Sequence, residues 1–537
     1  MPQADRRSLL KLGAVGLAGL AVPVLGQETQ GFTHGVASGE PGARRVLLWT
    51  RFVGTAQTRL RWELSETEDF ARIAARGACT AGPDSDWCAK GWANGLRPGQ
   101  WYYYRFHAPS GETSAIGRTR TLPQGQVPNF KIAVFSCSNL GFGWFNAYAH
   151  AVEAGEFDLA VHLGDYFYEQ RRGTYPTAMQ AAPGRDQPLN EAVALADYRQ
   201  RFATYRADPD LQRIHQNLPM IAMWDDHETA NDTWTGGAQN HQAEDGDWAT
   251  RKAASERAYR EWLPVSDDYY AAYEVGQLAT LFKLESRHLA RSKQLDQFGA
   301  WQAVPPDQRD AALTNFRDTE WRNPAQTMLG AAQERWLAAG MRRSVRAGKP
   351  WQVLAQEVIL GPRILPPVAE AQMPAVAPAW VRDRVSASVT AGRLGLPWGM
   401  DSWDGYPAAR DRLLSAARAA DANLLVLAGD SHNAWAFDLE HRGERVGVEM
   451  AGHSVTSPGA ESELPWVRPG ELAAAMVSAN PQLKWCDTSQ RGYLALDLTP
   501  QAATGEWRFL TTIRTRSTEL AGTRQMTVRA GERKFEL

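Results

Sequence analysis

Apolar, strand-like runs in this chain repeatedly end on side chains that bind metals: FSCSN at Cys137, HLGDYFY at Asp165 and Tyr168, MWDDHE at Asp226 and His227, and LAGDSH at Asp430 and His432. In an open sheet, residues just past the carboxyl ends of strands converge on one crevice even when the chain separates them widely. Carboxylates and a thiolate gathered in a dry cleft repel one another unless cations neutralise them. The pattern therefore predicts an enzyme with a metal cluster. Asp165 has two oxygens to share, so it can bridge two cations held ~3.5 to 4 Å apart, the spacing that two-metal hydrolysis uses. Tyr168 can offer a phenolate to the same metal, a ligand that suits ferric iron better than zinc.

The other tips add roles. MWDDHE places an acidic pair, an imidazole and a further carboxylate together, which supplies a ligand, a proton donor and a group to orient it. In Gly429-Asp430-Ser431-His432-Asn433, alternate residues of an extended strand end point the same way, so Asp430 and His432 reach a cluster while Ser431 faces elsewhere. Gly-Asp-Ser also occurs in serine esterases, but there the serine comes early in the domain and its histidine is distant. Cys137 alone would read as core packing; beside the other strand tips it reads as a ligand. His34, His107, His215 and His288 lack such company and read as packing or surface residues.

The elements that must position these residues fall into two regions. From Phe32 to Leu122 the runs RVLLWTRF, TRLRWEL and QWYYYRFHA alternate apolar and polar positions between turn clusters, which predicts a small fibronectin-like β-sandwich. After LPQGQVPNF the continuous apolar runs KIAVFSC, DLAVHLGD, PMIAMWDD, WQVLAQEVIL and NLLVLAGD suit sheets covered on both faces. AQERWLAAGMRRSV and YPAARDRLLSAARAA carry helical periodicity. The fold class is therefore α/β. VGVEMAGHS, GYLALDL and EWRFLTTI read as strands of a second sheet completing a layered sandwich, and Thr174 to Pro188 and Trp301 to Asn323 read as irregular loops around the cleft. The expected division is a leader over 1–26, a β-sandwich domain over 31–123 and a catalytic domain over 129–537.

Charge and cysteines set further bounds. Lys+Arg 58 against Asp+Glu 60 gives a net charge of -2 over 537 residues, so no global field recruits nucleic acid or an anionic membrane. Arg6-Arg7 followed by the uncharged, Gly- and Ala-rich stretch from Leu12 to Gly26 predicts a twin-arginine export signal, hence the Tat machinery as partner and a periplasmic or secreted product. No later segment is long and apolar enough to span a membrane. Cys79 and Cys88 flank the turn-rich TAGPDSDW and could close a small hairpin disulfide after export; Cys486 has no evident role.

FSCSN, HLGDYFYE, WDDHETAND, the LESR segment at Arg287, MLGAAQERWL, WDGYPAAR, LAGDSHNAW and VEMAGHSVTSPG resemble, in order, the motifs of the PhoD-type alkaline phosphatases and phosphodiesterases. That family belongs to the metallophosphoesterase superfamily and is similar to purple acid phosphatases. The resemblance spans nearly the whole chain. It implies an αββα catalytic domain behind the β-sandwich, and ferric iron held by Cys137, Asp165, Tyr168 and His432. It also implies calcium, one ion or two, on Asp165, Asp226 and Asp430, and His227 in the place of the leaving-group proton donor. An all-carboxylate second site independently selects calcium, magnesium or manganese over zinc. Where the family pattern has Leu-Asp-Thr-Arg, this chain reads Leu284-Glu285-Ser286-Arg287, which leaves the acid without an assigned role and the arginine as a phosphate ligand. The expected activity is hydrolysis of phosphate monoesters or diesters for phosphate acquisition, by in-line attack of a hydroxide held on the cluster. The competing expectation is a non-catalytic, calcium-stabilised module that binds phosphorylated surface polymers.

Overall fold

The computed structural model describes residues 29–536. The twin-arginine segment lies outside the described residues, and among those described no helix is long and apolar enough to cross a membrane.

Two large sheets form the centre. The first has nine strands, in the spatial order Leu520–Arg529, Ala502–Leu510, Gly492–Leu498, Phe130–Phe135, Leu159–His162, Pro219–Ala222, Gly31–Gly39, Arg45–Val53 and Cys88–Asn94. The second has seven, in the order Ala271–Val275, Ala279–Lys283, Trp351–Ala355, Leu424–Ala428, Glu444–Ala451, Ala434–His441 and Leu483–Asp487. Both are built around parallel strands: Phe130–Phe135, Leu159–His162 and Pro219–Ala222 in the first, Ala279–Lys283, Trp351–Ala355 and Leu424–Ala428 in the second. Successive side chains of a strand point to opposite faces, and here both faces are covered. Ile132, Val134, Leu159, Val161, Val353, Leu425 and Leu427 fill the layer between the sheets. Ala133, Phe135 and Ala160 instead face one helical layer, and Leu354, Leu424 and Val426 face the other. The result is the expected helix, sheet, sheet, helix sandwich. The helices Gly330–Arg346 and Pro407–Ala419 lie where the periodicity places them.

The sheets are pinned by tryptophan N–H groups as well as by apolar burial. Trp507 Nε1 of the first sheet donates to Ala451 O of the second at 2.8 Å, and Trp351 Nε1 of the second donates to Thr499 O at 2.7 Å. A buried ion pair adds to these, since Lys283 Nζ reaches Glu40 Oε1 at 3.2 Å.

The structure departs from the sequence expectations in three places. Gly492–Leu498 and Ala502–Leu510 do not extend a second sheet; Gly492–Leu498 returns to pair antiparallel with Phe130–Phe135 in the first. The expected β-sandwich is joined to the first sheet. Its four-stranded sheet, Ile73–Ala81, Thr58–Ser65, Trp101–His107 and Gly117–Arg120, packs on strands that continue the nine-stranded sheet through a parallel pairing of Gly31–Gly39 with Pro219–Ala222. Trp301 to Asn323 is helical rather than a loop, with a helix over Arg309–Phe316 running into a single π-helical turn. Trp301, Leu313 and Phe316 bury themselves against Ala387 and Ala391 of the helix Ala379–Arg393. Finally, Cys79 and Cys88 are free and buried, because TAGPDSDW crosses from one sheet of the sandwich to the other instead of turning a hairpin.

Removing one member of a buried ion pair strands the other without compensation, at about 3 to 5 kcal/mol, whereas replacing both by apolar residues is often near neutral. Lys283→Met is therefore expected to lower the denaturation midpoint sharply, and the double variant Glu40→Leu/Lys283→Met to recover most of the loss, as read by denaturant titration.

Candidate metal centre

The parallel strands of both sheets open at the same edge. Cys137, Asp165 and Asp225 follow the strand ends at Phe135, His162 and Ala222, while Glu285, Glu357 and Asp430 follow those at Lys283, Ala355 and Ala428. Two glycines let these tips meet. A Cβ on Gly164 (φ 101°) would fall 2.4 Å from Asp225 Cβ, and one on Gly429 would fall 2.7 Å from Ser136 Cβ. The glycine of each Gly-Asp pair is thus the point at which one tip crosses another. Cys137, Asp165, Asp430 and His432 all adopt left-handed backbone, with φ of 58°, 54°, 59° and 59°. That conformation costs a non-glycine residue roughly 1 to 3 kcal/mol and clusters at functional sites. It also corrects the expectation for the last tip: Asp430 and His432 reach the site from a bent loop, not an extended strand end.

Three groups of donor atoms lie within 4.8 Å of one another: Cys137 with Asp165 and His432, Asp165 with Asp226 and His227, and Asp225 with Asp226 and Asp430. Tyr168 joins the first, its hydroxyl 2.9 Å from Asp165 Oδ2 and 3.1 Å from His432 Nε2. Every expected metal-ligand residue is therefore brought to one place. His432 Nδ1 lies 2.8 Å from Pro458 O; a carbonyl only accepts, so that nitrogen carries the proton and Nε2 presents its lone pair to the cluster. Ser457 Oγ donates to the Tyr168 oxygen at 2.7 Å. Asp165 Oδ1 is buried without a hydrogen-bond partner, which fits an oxygen that has a cation to hold.

His227 is held by a residue the sequence reading passed over. The orienting carboxylate is not Glu228 of its own strand tip but Glu169, whose Oε2 lies 2.7 Å from His227 Nδ1. Asn231 N and Asn240 Nδ2 both donate to Glu169 Oε1 at 2.8 Å and fix it. Glu228 turns to the backbone, accepting from Asp165 N at 3.0 Å, Tyr166 N at 2.5 Å and Asp225 N at 2.7 Å. It ties two strand tips together. Glu285 does similar work, accepting from Trp224 Nε1 at 3.1 Å and from Arg287 N at 2.9 Å.

Arg287 lies wholly inside the carboxylate cluster. Its Nε donates to Asp225 Oδ1 at 2.5 Å and its NH1 to Asp401 at 2.9 Å, while NH2 lies 3.4 Å from Asp430 and 3.9 Å from Asp226. Asp401 also takes Arg291 at 2.5 Å and Gln294 Nε2 at 2.6 Å. Asp401 follows no apolar strand, and although Glu169 closes HLGDYFYE one residue past Tyr168, nothing in its spacing pairs it with His227; only the folded chain does so. His288, His215, His107 and His34 pack as expected; His288 stacks on Trp224 and His215 Nε2 meets the Tyr166 hydroxyl at 2.8 Å. The segment Thr174 to Pro188 is irregular and sets Tyr175 beside Tyr168, but neither it nor Trp301 to Asn323 lines the main cleft.

The electrostatics follow from burial. Burial, with Asp165 adding to it, pushes the Cys137 thiol and the Tyr168 phenol well above their ordinary values. Burial and the neighbouring Asp401 raise Asp430 to about 7. Burial works against His227, yet Asp226, Glu169 and Asp165 together raise it well above an ordinary imidazole. Asp226 is held at about 2 in spite of burial, by His227 and Arg287. The arrangement can hold two cations, one in a sulfur, oxygen and nitrogen cradle and one among carboxylates, beside a charged imidazole.

Comparison with known proteins bears on this geometry. A family model described as PhoD-like phosphatase matches residues 132–507, and one described as PhoD-like phosphatase, N-terminal domain, matches residues 20–123. Among curated proteins the chain is similar to alkaline phosphatase D of Bacillus subtilis (strain 168), at 29% identity over 547 residues covering 94% of this chain and 84% of that protein. Among solved structures it is similar to one of PhoD, with a TM-score of 0.76 and 27% identity over 95% of this chain and 92% of that one.

Cys137, Tyr168 and Asp430 must lose protons to bind a cation, so uptake releases protons and strengthens as pH rises. Metal content after equilibrium dialysis is expected to be greatest at about pH 8 and to fall by pH ~5.5, with proton release visible by calorimetry in buffers of differing ionisation heat. A metal content unchanged across that range would contradict the ligand set.

Proposed function

This chain belongs to the PhoD-like phosphatase family, and from that premise we propose an exported, metal-dependent alkaline phosphatase that also cleaves phosphodiesters. The observation that carries the reading is the convergence of Cys137, Asp165, Tyr168 and His432 on one side and Asp226 and Asp430 on the other, with Asp165 between them. The first set, a thiolate, a phenolate, an imidazole and a carboxylate, fits ferric iron, and the second, carboxylates alone, fits calcium. Cations held there supply neutralisation of the phosphoryl oxygens and an activated water.

The chain's own residues do the rest. Asp165 keeps one oxygen toward Tyr168 and the other without a protein partner, ready to serve both cation sites. His227 donates a proton to the departing oxygen. Of the carboxylates that raise its affinity for that proton, Asp226 and Asp165 spend their charge on cations when these bind, whereas Glu169 lies outside the ligand set and retains its charge. Glu169 is thus the group that keeps His227 protonated in the working enzyme. Arg287 is better suited to be an internal counter-charge for Asp225, Asp401 and Asp430 than a phosphate ligand, since its donors are committed to carboxylates and it has no exposed surface. The Arg6-Arg7 leader supports export, and turnover of any ester would set aside the non-catalytic binding module.

Asp165→Asn is expected to lose metal and turnover together, as measured by elemental analysis and phosphate release. His227→Ala should keep its metal and lose ~10²- to 10⁴-fold in kcat, with the largest loss on esters of poor leaving groups. Glu169→Gln should move the basic limb of the pH profile to lower pH, because the imidazolium loses the carboxylate that stabilises it. An unchanged profile would remove Glu169 from the mechanism.

A further inference from the structure

The cleft does not end at the carboxylates. It encloses about 1460 Å³ and is lined by Asp232, Asp401 and Asp430 at the cluster and by Phe298, Trp380 and Trp398 farther out. Pockets for drug-sized ligands occupy roughly 300 to 1,000 Å³, so the ester of a small alcohol would leave most of this cleft empty. Trp380 and Val376, which both line the cleft, are 68% and 91% exposed, so their apolar faces are open to a ligand.

Two cations stand among the rings. Lys293 Nζ sits 5.2 Å from the ring centre of Trp234, and the Arg384 guanidinium 5.9 Å from that of Phe298. Both side chains are exposed, both line the cleft, and neither forms a salt bridge among the described residues. Asp296 and Glu463 line the cleft too, and neither reaches salt-bridge distance of Lys293 or Arg384. Flat apolar faces with unpaired positive charge between them suit a planar ring that carries an anion. An acyl chain would also cover the rings, but it would strip water from Lys293 and Arg384 and return no acceptor.

We propose that this wall is a second-arm subsite, which receives a planar aromatic group bearing a further negative charge, as a nucleobase and an additional phosphate of a nucleotide provide, while the scissile ester lies at the carboxylate cluster. The proposal rests on the phosphoesterase reading above. It also supplies a reason for the size of the cleft, since one nucleoside and a second phosphate extend well beyond the reacting phosphorus.

The test uses metal-loaded enzyme and three diesters sharing one chromophore: ethyl p-nitrophenyl phosphate, thymidine 5′-(p-nitrophenyl phosphate) and the latter's 3′-phosphate. KM is expected to fall along the series. Trp380→Ala, a change at an exposed position, should raise KM about ten-fold for both thymidine esters, toward the lower end of what one base–aromatic stack contributes, and leave the ethyl ester within about two-fold. Lys293→Ala/Arg384→Ala should erase only the advantage given by the 3′-phosphate. Equal KM for the ethyl and thymidine esters, equal effects of the variants on all three, or a lower KM for hexadecyl p-nitrophenyl phosphate than for the thymidine esters would overturn the proposal. Should no ester turn over, the phosphoesterase reading fails by itself. The subsite is then judged by quenching of tryptophan fluorescence with thymidine 3′,5′-bisphosphate: saturable quenching lost in Trp380→Ala sustains it, and no quenching ends it.

Discussion

Carboxylates brought to a buried edge repel one another, and the rest of this molecule is arranged around holding them there. Asp225, Asp226, Asp401 and Asp430 surround the guanidinium of Arg287, which has no exposed surface and lies within 4 Å of all of them. Arg291 adds a second positive charge at Asp401, and two arginines still do not balance four carboxylates. The remaining repulsion shows in the raised proton affinity of Asp225 and Asp430, where burial is the first cause and neighbouring acids add to it. A cluster left in that condition binds protons or cations, and the donor groups around Asp165 favour cations.

Such a cluster needs a rigid frame, because small displacements of a tip would relax it. The frame is two facing sheets whose parallel strands end at one edge, pressed together by a shared apolar layer and cross-linked by Trp351 and Trp507. At the tips the backbone is bent into left-handed turns at Cys137, Asp165, Asp430 and His432 and crosses itself at Gly164 and Gly429. Glu228 secures this by accepting backbone N–H groups from two tips at once, with a buried carboxyl raised to about 8. Burial energy in the sheets thus offsets the strain and repulsion concentrated at their edge.

The N-terminal sandwich shares in this frame. Its strand Gly31–Gly39 pairs in parallel with Pro219–Ala222, the strand that delivers Asp225, Asp226 and His227, and Glu40 at its end meets Lys283 of the opposite sheet. The region that composition marks as a module shares a sheet with the strand that carries the site. The same non-local pairing returns Gly492–Leu498 to the first sheet. Strand alternation identifies which face of a strand is apolar but carries no information about which sheet that face will meet.

What could be read from the chain alone was whatever is encoded within a few residues. A buried strand followed within a few residues by a metal-binding side chain is a local pattern, and it located Cys137, Asp165, Asp226, His227 and Asp430 as well as the α/β class. Tyr168 and His432 were legible for the same reason, each within three residues of a tip. Glu169 as the partner of His227, Asp401 as the partner of Arg287, and the enclosure of Arg287 itself join residues 58 and 114 positions apart. No local spacing announces them. The failed Cys79 to Cys88 bridge has the same origin, since a turn-rich segment looks alike whether it closes a hairpin or crosses between sheets. Side-chain chemistry is a property of the residue and is written in the sequence; charge balance is a property of who surrounds it, and only the packed sheets decide that.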